Sequence, residues 1–291
     1  MASGVLDKEE EIKYSNTDKN NQYQALHHMF VASAKCVQIA HEINPDFKMG
    51  CMIGGICQNT YSCKPEDILA TIKARQNIFF FCSDVQCRGY YPSYIKRYFK
   101  ENNIQINVTE EDLEELKKGT VDFYSFSYYS TGCVTTDETV LKTTGNLVFG
   151  AANPYLQTSE WGWQIDPIGL RCFLNEIYDR YQMPIMVVEN GLGQADTLNE
   201  DGTIHDPYRI DYVREHIKAM DEAIQDGVDL IGYTPWGCID LVAASTGEMK
   251  KRYGFIYVDY HDDGTGTGNR YRKDSFYWYK KVIESNGKDL D

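Results

Sequence analysis

Apolar and polar positions change their period several times along the chain. Residues 22–43 carry apolar side chains at helical spacing, and Asn44-Pro45 stops them. A short apolar run over 48–55 then ends in glycines and reads as a buried strand. Pro65 opens a helix over 66–81, and further helical patterns cover 92–102 and 109–118. A second strand is expected at 121–130, followed by a long polar loop. Asp166-Pro167 begins a helix running to about 181. The run Ile185, Met186, Val187, Val188 is a third strand, Asp206-Pro207 opens a helix to about 226, and "DLIGYTPWG" from Asp229 is a fourth strand. The tract "DDGTGTGN", 262–269, reads as a surface loop, and 275–285 as a final helix.

Strands that alternate with helices of this length form parallel βαβ units, and apolar runs without alternation are strands covered on both faces. The fold class is therefore α/β. An eight-stranded barrel needs about 250 residues. Only four strand-helix units are legible here, preceded by one unpaired helix. No internal repeat or Pro/Gly linker divides the chain, so the expected organisation is a polar N-terminal loop segment, 1–21, and one structural body, 22–291.

Composition narrows the functional classes. The chain is 42% hydrophobic and contains no window of about 18 apolar residues. Its first residues are acidic and polar where a signal peptide is basic and then greasy, so a cytoplasmic location is expected. A net charge of −14 argues against nucleic acid and anionic membrane as partners. Nine cysteines without a CxxC spacing read as buried reduced thiols and not as a metal site or disulfide framework, and no metal or organic cofactor is implied.

In parallel α/β folds the chemistry gathers where strands end. Four such ends are offered: Gly54-Gly55, Tyr128-Tyr129, Glu189-Asn190 and Trp236-Gly237. Glu189 stands out. A carboxylate at a strand end, followed by glycines that let a ligand approach the backbone, suits nucleophilic attack or proton abstraction. The same residue could cap the next element or pair with Arg180. The segment "ASTGEMKKRYG" places Ser245, Lys250, Lys251, Arg252 and Tyr253 within nine positions of an acidic protein. Hydroxyls beside an ammonium suit a phosphate monoester, although a solvated basic spot has the same composition.

Several of these segments together resemble glycoside hydrolase family 1, the β-glucosidase and 6-phospho-β-glucosidase family. They are "IMVVENG" at 185–191, "SEWGWQIDPIGL" at 159–170, "DPYRIDYVREHIKAM" at 206–220 and "GYTPWGCIDLVAASTGEMKKRYGFIYVD" at 232–259. The resemblance implies a TIM (β/α)8 barrel of which this chain holds strands five to eight. It implies that Glu189 is the nucleophile of a retaining glycosidase acting on 6-phospho-β-glucosides in carbohydrate catabolism, with a second carboxyl roughly 5 Å away as acid and then base. Tyr129 matches the tyrosine that hydrogen-bonds the nucleophile. Trp236 matches the tryptophan under the sugar ring, Ser245, Lys251 and Tyr253 match the holders of the 6-phosphate, and Trp161 and Trp163 are placed to line the aglycone side. Free-glucose members carry a glutamate and a tryptophan where this chain has Ala243 and Ala244. A glutamate there would repel a phosphate.

The family's acid/base glutamate belongs to an Asn-Glu-Pro motif, and this chain has only Asn175-Glu176, in a helical pattern, and Asn199-Glu200, in a polar loop. Two readings follow. The chain is the C-terminal portion of a hydrolase completed by a missing N-terminal half, or it is a non-catalytic 6-phosphosugar-binding module or decayed fragment. An open half-barrel has two uncovered edges, so the isolated chain is expected to be molten, insoluble or self-associated.

Overall fold

A computed structural model describes residues 18–55, 57–140 and 150–291. The chain divides into two compact units. One holds 75–124 and the residues up to Ile53, and the other holds 54–74 and 125–291. The sequence offered no linker because the junctions fall inside regular elements. They lie within strands β1 (Ile53–Gly54) and β3 (Tyr124–Ser127) and at the end of helix α2 (Pro65–Arg75).

The first unit is a helical layer. Helix α1, Lys19–Ile43, starts three residues before its expected beginning at 22, inside the 1–21 segment, because the Asp18 carboxylate accepts from the Asn20 amide and caps it. Residues 1–17 of that segment lie outside the described residues. The expected helix over 66–81 is really α2 followed by a π-helical turn, 76–80, and helix α3, Phe81–Arg88. Gly89, at φ 72°, ends it in the left-handed conformation that glycine adopts without strain. Helices α4, Ser93–Glu101, and α5, Glu110–Lys118, follow. Thr109 and Asp112 form a reciprocal capping box at α5. Phe30, Ala34, Phe81, Val85, Ile95 and Leu116 make this unit's core.

The second unit carries the parallel sheet. Its strand order is β1-β3-β5-β6, with β5 at Ile185–Glu189 and β6 at Leu230–Tyr233. The strands are thus neighbours in the order in which the chain makes them. Helices α6, Pro167–Tyr181, and α7, Pro207–Gln225, follow β3 and β5, and α8, Asp274–Glu284, closes the chain. Asp166 caps α6 by accepting from the Gly169 amide at 2.8 Å, as the Asp-Pro signal predicts. Phe126 packs edge-on against Phe173 of α6, so the sheet's buried face meets helix directly.

Two features were not expected. Shortly after β1, β2 (Cys57–Thr60) pairs in parallel with β4 (Thr131–Val134), which lies inside the long loop after β3. Beyond β6, β7 (Ile256–Val258) pairs antiparallel with β8 (Arg270–Arg272), and the exposed "DDGTGTGN" tract joins them. None of the nine cysteines forms a disulfide, but only Cys51, Cys57 and Cys133 are buried, which corrects the expectation that the thiols as a group are core residues. Among the described residues no helix is long and apolar enough to cross a membrane, and no cluster of three metal-ligating side chains occurs.

Candidate active site

The site lies entirely in the second unit, at the carboxyl end of its sheet. Glu189 is the last residue of β5, and its side chain accepts a 3.0 Å hydrogen bond from the Tyr129 hydroxyl just beyond β3. Burial, and next the negative charge of Glu189, push the Tyr129 phenol far above its ordinary range. Tyr129 is therefore a permanent donor to the carboxylate. Pairing with Arg180, the alternative for Glu189, gives way to this bond. The guanidinium of Arg180 lies instead against Tyr181, with Nε 3.2 Å from its hydroxyl.

Asn190 explains why an amide follows the carboxylate. It is fully buried and donates to the Tyr128 carbonyl at 2.7 Å and the Tyr212 hydroxyl at 3.0 Å, while its Oδ1 accepts from Tyr233. The Tyr128 amide donates to the Glu189 carbonyl, and the Trp236 amide to the Asn190 carbonyl. These bonds tie the ends of β3, β5 and β6 together and set the direction in which Glu189 leaves the sheet.

Trp161, Trp163, Ser245, Lys251 and Tyr253 converge beside this pair. Lys251 is 1% exposed, and its Nζ stands 3.8 Å from the Trp163 ring centre, 5.6 Å from Trp161 and 5.8 Å from Tyr253. Its hydrogen-bond partner is the Ser245 hydroxyl at 3.4 Å. Burial pulls the ammonium down to about 8, and the charge of Glu248 opposes that only in part. Aromatic faces attract a cation but cannot accept its hydrogen bonds as an anion does. The Tyr129 ring meets Trp163 at 5.6 Å and Tyr253 at 6.3 Å, both edge-on, so the carboxylate and the boxed ammonium share one wall. Trp236 borders the same cleft, with its Cβ 3.7 Å from the position a Gly191 side chain would take. Trp163 was read with the aglycone side, yet it is the ring nearest the lysine.

The glycines after Glu189 have distinct tasks. A Cβ on Gly193 would lie 2.7 Å from Lys251 Cε and 2.8 Å from Tyr253 Cζ, whereas one on Gly191 finds nothing closer than 3.5 Å. Gly193→Ala should fold but displace the end of Lys251, weakening binding of a phosphorylated ligand severalfold. Gly191→Ala should leave that affinity unchanged. Titration of both variants with glucose 6-phosphate checks this, and equal affinities would refute it.

Sequence reasoning missed a set of six buried charges behind this wall. Arg209 donates to Asp206 and Asp196, Lys273 to Asp196 and Asp240, and Arg252 to Asp240. The six are scattered from 196 to 273, and nothing in their local spacing marks them as one group.

With this geometry in place, comparison with known proteins is informative. The glycosyl hydrolase family 1 model matches residues 12–288, and the chain belongs to that family. It is 54% identical to a 6-phospho-beta-glucosidase of Clostridium longisporum, covering 100% of this chain and 61% of that protein. It is 56% identical to the 6-phospho-beta-glucosidase AscB of Escherichia coli, over 93% of this chain and 57% of that one. Among solved structures, a family 1 β-glucosidase from Thermotoga maritima aligns with a TM-score of 0.80 at 30% identity, over 94% of this chain and 58% of that one. The chain thus spans about three fifths of the length of these relatives. The family's fold is the TIM barrel that the sequence resemblance implied.

Proposed function

We propose that this chain is the nucleophile-bearing part of a retaining glycosidase acting on 6-phospho-β-glucosides. Glu189 attacks the anomeric carbon, the bond to the leaving oxygen breaks, and a glycosyl ester forms that water later hydrolyses. Tyr129 orients the carboxylate, Trp236 underlies the sugar, and Ser245, Lys251 and Tyr253 hold the phosphate, with Trp161 beside them. The observation that carries this reading is Lys251. A fully buried ammonium, boxed by three rings beside the Ser245 hydroxyl at 3.4 Å, is a desolvated cation suited to a phosphate dianion. The relatives' names agree with a phosphorylated substrate.

In this reading β1, β3, β5 and β6 are the fifth to eighth strands of the barrel, and the remaining part of the relatives' length supplies the other four. The outer edge of β6 supports a docking role. There α7, β6 and α8 leave a cavity of about 420 Å3 lined by Met220, Ile224, Ile231, Tyr279 and Ile283. Ile231 is 54% exposed and Ile283 64%, an apolar surface that invites a further strand. Asn175-Glu176 lies inside α6 and Asn199-Glu200 in an exposed loop, so neither furnishes the acid/base glutamate, which belongs to the complementary part.

Calorimetric titration of the chain, joined to the remaining part of the Clostridium longisporum relative in a full-length chimera, tests the phosphate assignment. Glucose 6-phosphate should bind at least tenfold more tightly than glucose, and equal or absent binding of the two would reject it. The second reading is a phosphosugar-binding module without catalysis. It predicts the same titration but no hydrolysis once the other half is supplied.

A further inference from the structure

The six buried charges are out of proportion to a stabilising role. Asp196, Asp206 and Asp240 face Arg209, Arg252 and Lys273, so the set is neutral, and each of the six is nine-tenths or more buried. Burial raises Asp206 and lowers Lys273, showing how costly the location is. A buried ionic set of this kind adds little net stability compared with apolar packing, and where it persists it can select one geometry over its neighbours.

Its placement says which geometry. The backbone of Arg252 pairs with that of Gln194 in an antiparallel bridge, N–H to O in both directions, at 3.1 and 3.0 Å. That segment is extended, so its side chains alternate between faces. Arg252 points away from the cleft, donating to Asp240 at 3.1 Å and to the carbonyls of Val258 and Tyr260 at 2.8 Å. Lys251 and Tyr253, its two neighbours, must then face the cleft. Asp240 also accepts from the Gly254 amide at 2.9 Å, pinning the segment one residue further on. Arg209 Nη1 donates both to the Leu192 carbonyl at 2.6 Å and to the Arg252 carbonyl at 3.3 Å. One guanidinium therefore clamps the loop that follows Glu189 to the strand that carries Lys251.

We propose that Asp240 and Arg252 are positioning residues: through the buried charge network they hold Lys251 and Tyr253 in register with Glu189, and so set the affinity for the phosphate group. The inference rests on the functional reading above. Two other features could produce part of the effect, since Glu248 and Tyr253 flank Lys251 on its own loop and Glu160 approaches Lys250 at 3.8 Å from the loop carrying Trp161. None of these makes an ion pair or hydrogen bond with Asp240 or Arg252, so altering that pair leaves them in place.

The experiment uses an Asp240→Asn/Arg252→Met double variant, which removes one charge of each sign and leaves Asp196 and Asp206 balanced by Arg209 and Lys273. Glucose 6-phosphate affinity is measured from pH 6 to pH 10 in the unsubstituted and variant chains, each joined to the remaining part of the Clostridium longisporum relative in a full-length chimera, well below each melting temperature. Expected is a tenfold or greater weakening in the variant, with the pH midpoint of affinity loss moving up from about 8 as Lys251 leaves its aromatic box. A merely structural role would weaken binding without moving that midpoint, and that result overturns the proposal, as does unchanged affinity in a folded variant. No uptake by the unsubstituted chain would instead overturn the functional reading itself. If the double variant does not fold, hydrogen exchange in the unsubstituted chain decides. Saturating glucose 6-phosphate should slow exchange at the Gln194, Arg252 and Gly254 amides, and unchanged rates there reject the coupling.

Discussion

Replacing Glu189 by Gln, in a full-length chimera that joins this chain to the remaining part of the Clostridium longisporum relative, is expected to lower kcat on an aryl 6-phospho-β-glucoside by about four orders of magnitude or more. The amide keeps the shape of the side chain and can still meet the Tyr129 hydroxyl, so binding should survive and the loss should fall on kcat and not on KM. What disappears is the anionic carboxylate oxygen that forms the glycosyl ester. Glu189→Ala, which leaves room beside Tyr129, should recover part of the lost rate when formate is added at high concentration, because an external carboxylate can occupy the vacated place. Turnover by the Gln variant within tenfold of the parent would remove Glu189 from the chemistry. Loss of rate together with loss of glucose 6-phosphate binding would mean that the site had collapsed. Tyr129→Phe should cost far less, since it removes one hydrogen bond to a charged group, worth about 1.5–3 kcal/mol.

Glu189 was legible because the sequence around it breaks a rule. An apolar run fit for a doubly covered strand ends in a carboxylate, an amide and glycines, and the structure gives each a separate task. Long helices were legible for the ordinary reason that their apolar faces repeat, and Asp166-Pro167 marked the start of α6 correctly. Short polar strands were not. "CQNT" in β2 has no apolar alternation and "RYR" in β8 is too short to show a period, and each forms because a partner strand lies beside it. The helix after Pro65 was cut short at 81 although Gly89, its real terminator, was readable. The two-unit division was hidden because its junctions lie within strands and a helix end. For the charge network the difficulty is of another kind. Aspartates and basic residues are read as surface unless their partners are known, and here the partners come from four separate loops and helix ends.

Lys251 is where burial, charge and specificity meet, and Lys251→Met carries the second large expectation. The substitution keeps most of the volume and can still pack against Trp163, but it removes the cation facing Ser245. Charge-assisted hydrogen bonds to a phosphate dianion are worth about 1.5–3 kcal/mol each, so glucose 6-phosphate affinity should fall roughly 10- to 150-fold while glucose binding is unaffected. Stability should move the other way. The folded-state lysine is lowered from 10.5 to about 8, so the fold disfavours the charged form. That cost, on the order of 3 kcal/mol, is fully present below pH 8 and is relieved as pH rises toward the unfolded value. The Met variant, having no proton to hold, should melt at a higher temperature than the parent at pH 7, and the gap should close by pH 10.5. Phosphate reverses the balance in the parent, since an anion at the ammonium raises its proton affinity again. Binding above pH 8 should therefore take up a proton, measurable as a dependence of calorimetric enthalpy on the ionisation enthalpy of the buffer. A variant that binds glucose 6-phosphate as the parent does, or a parent that binds it above pH 8 with no proton uptake, would place the phosphate elsewhere. In the proposed reading recognition and instability have one source: the same desolvation that disfavours the buried ammonium strengthens its attraction for a dianion.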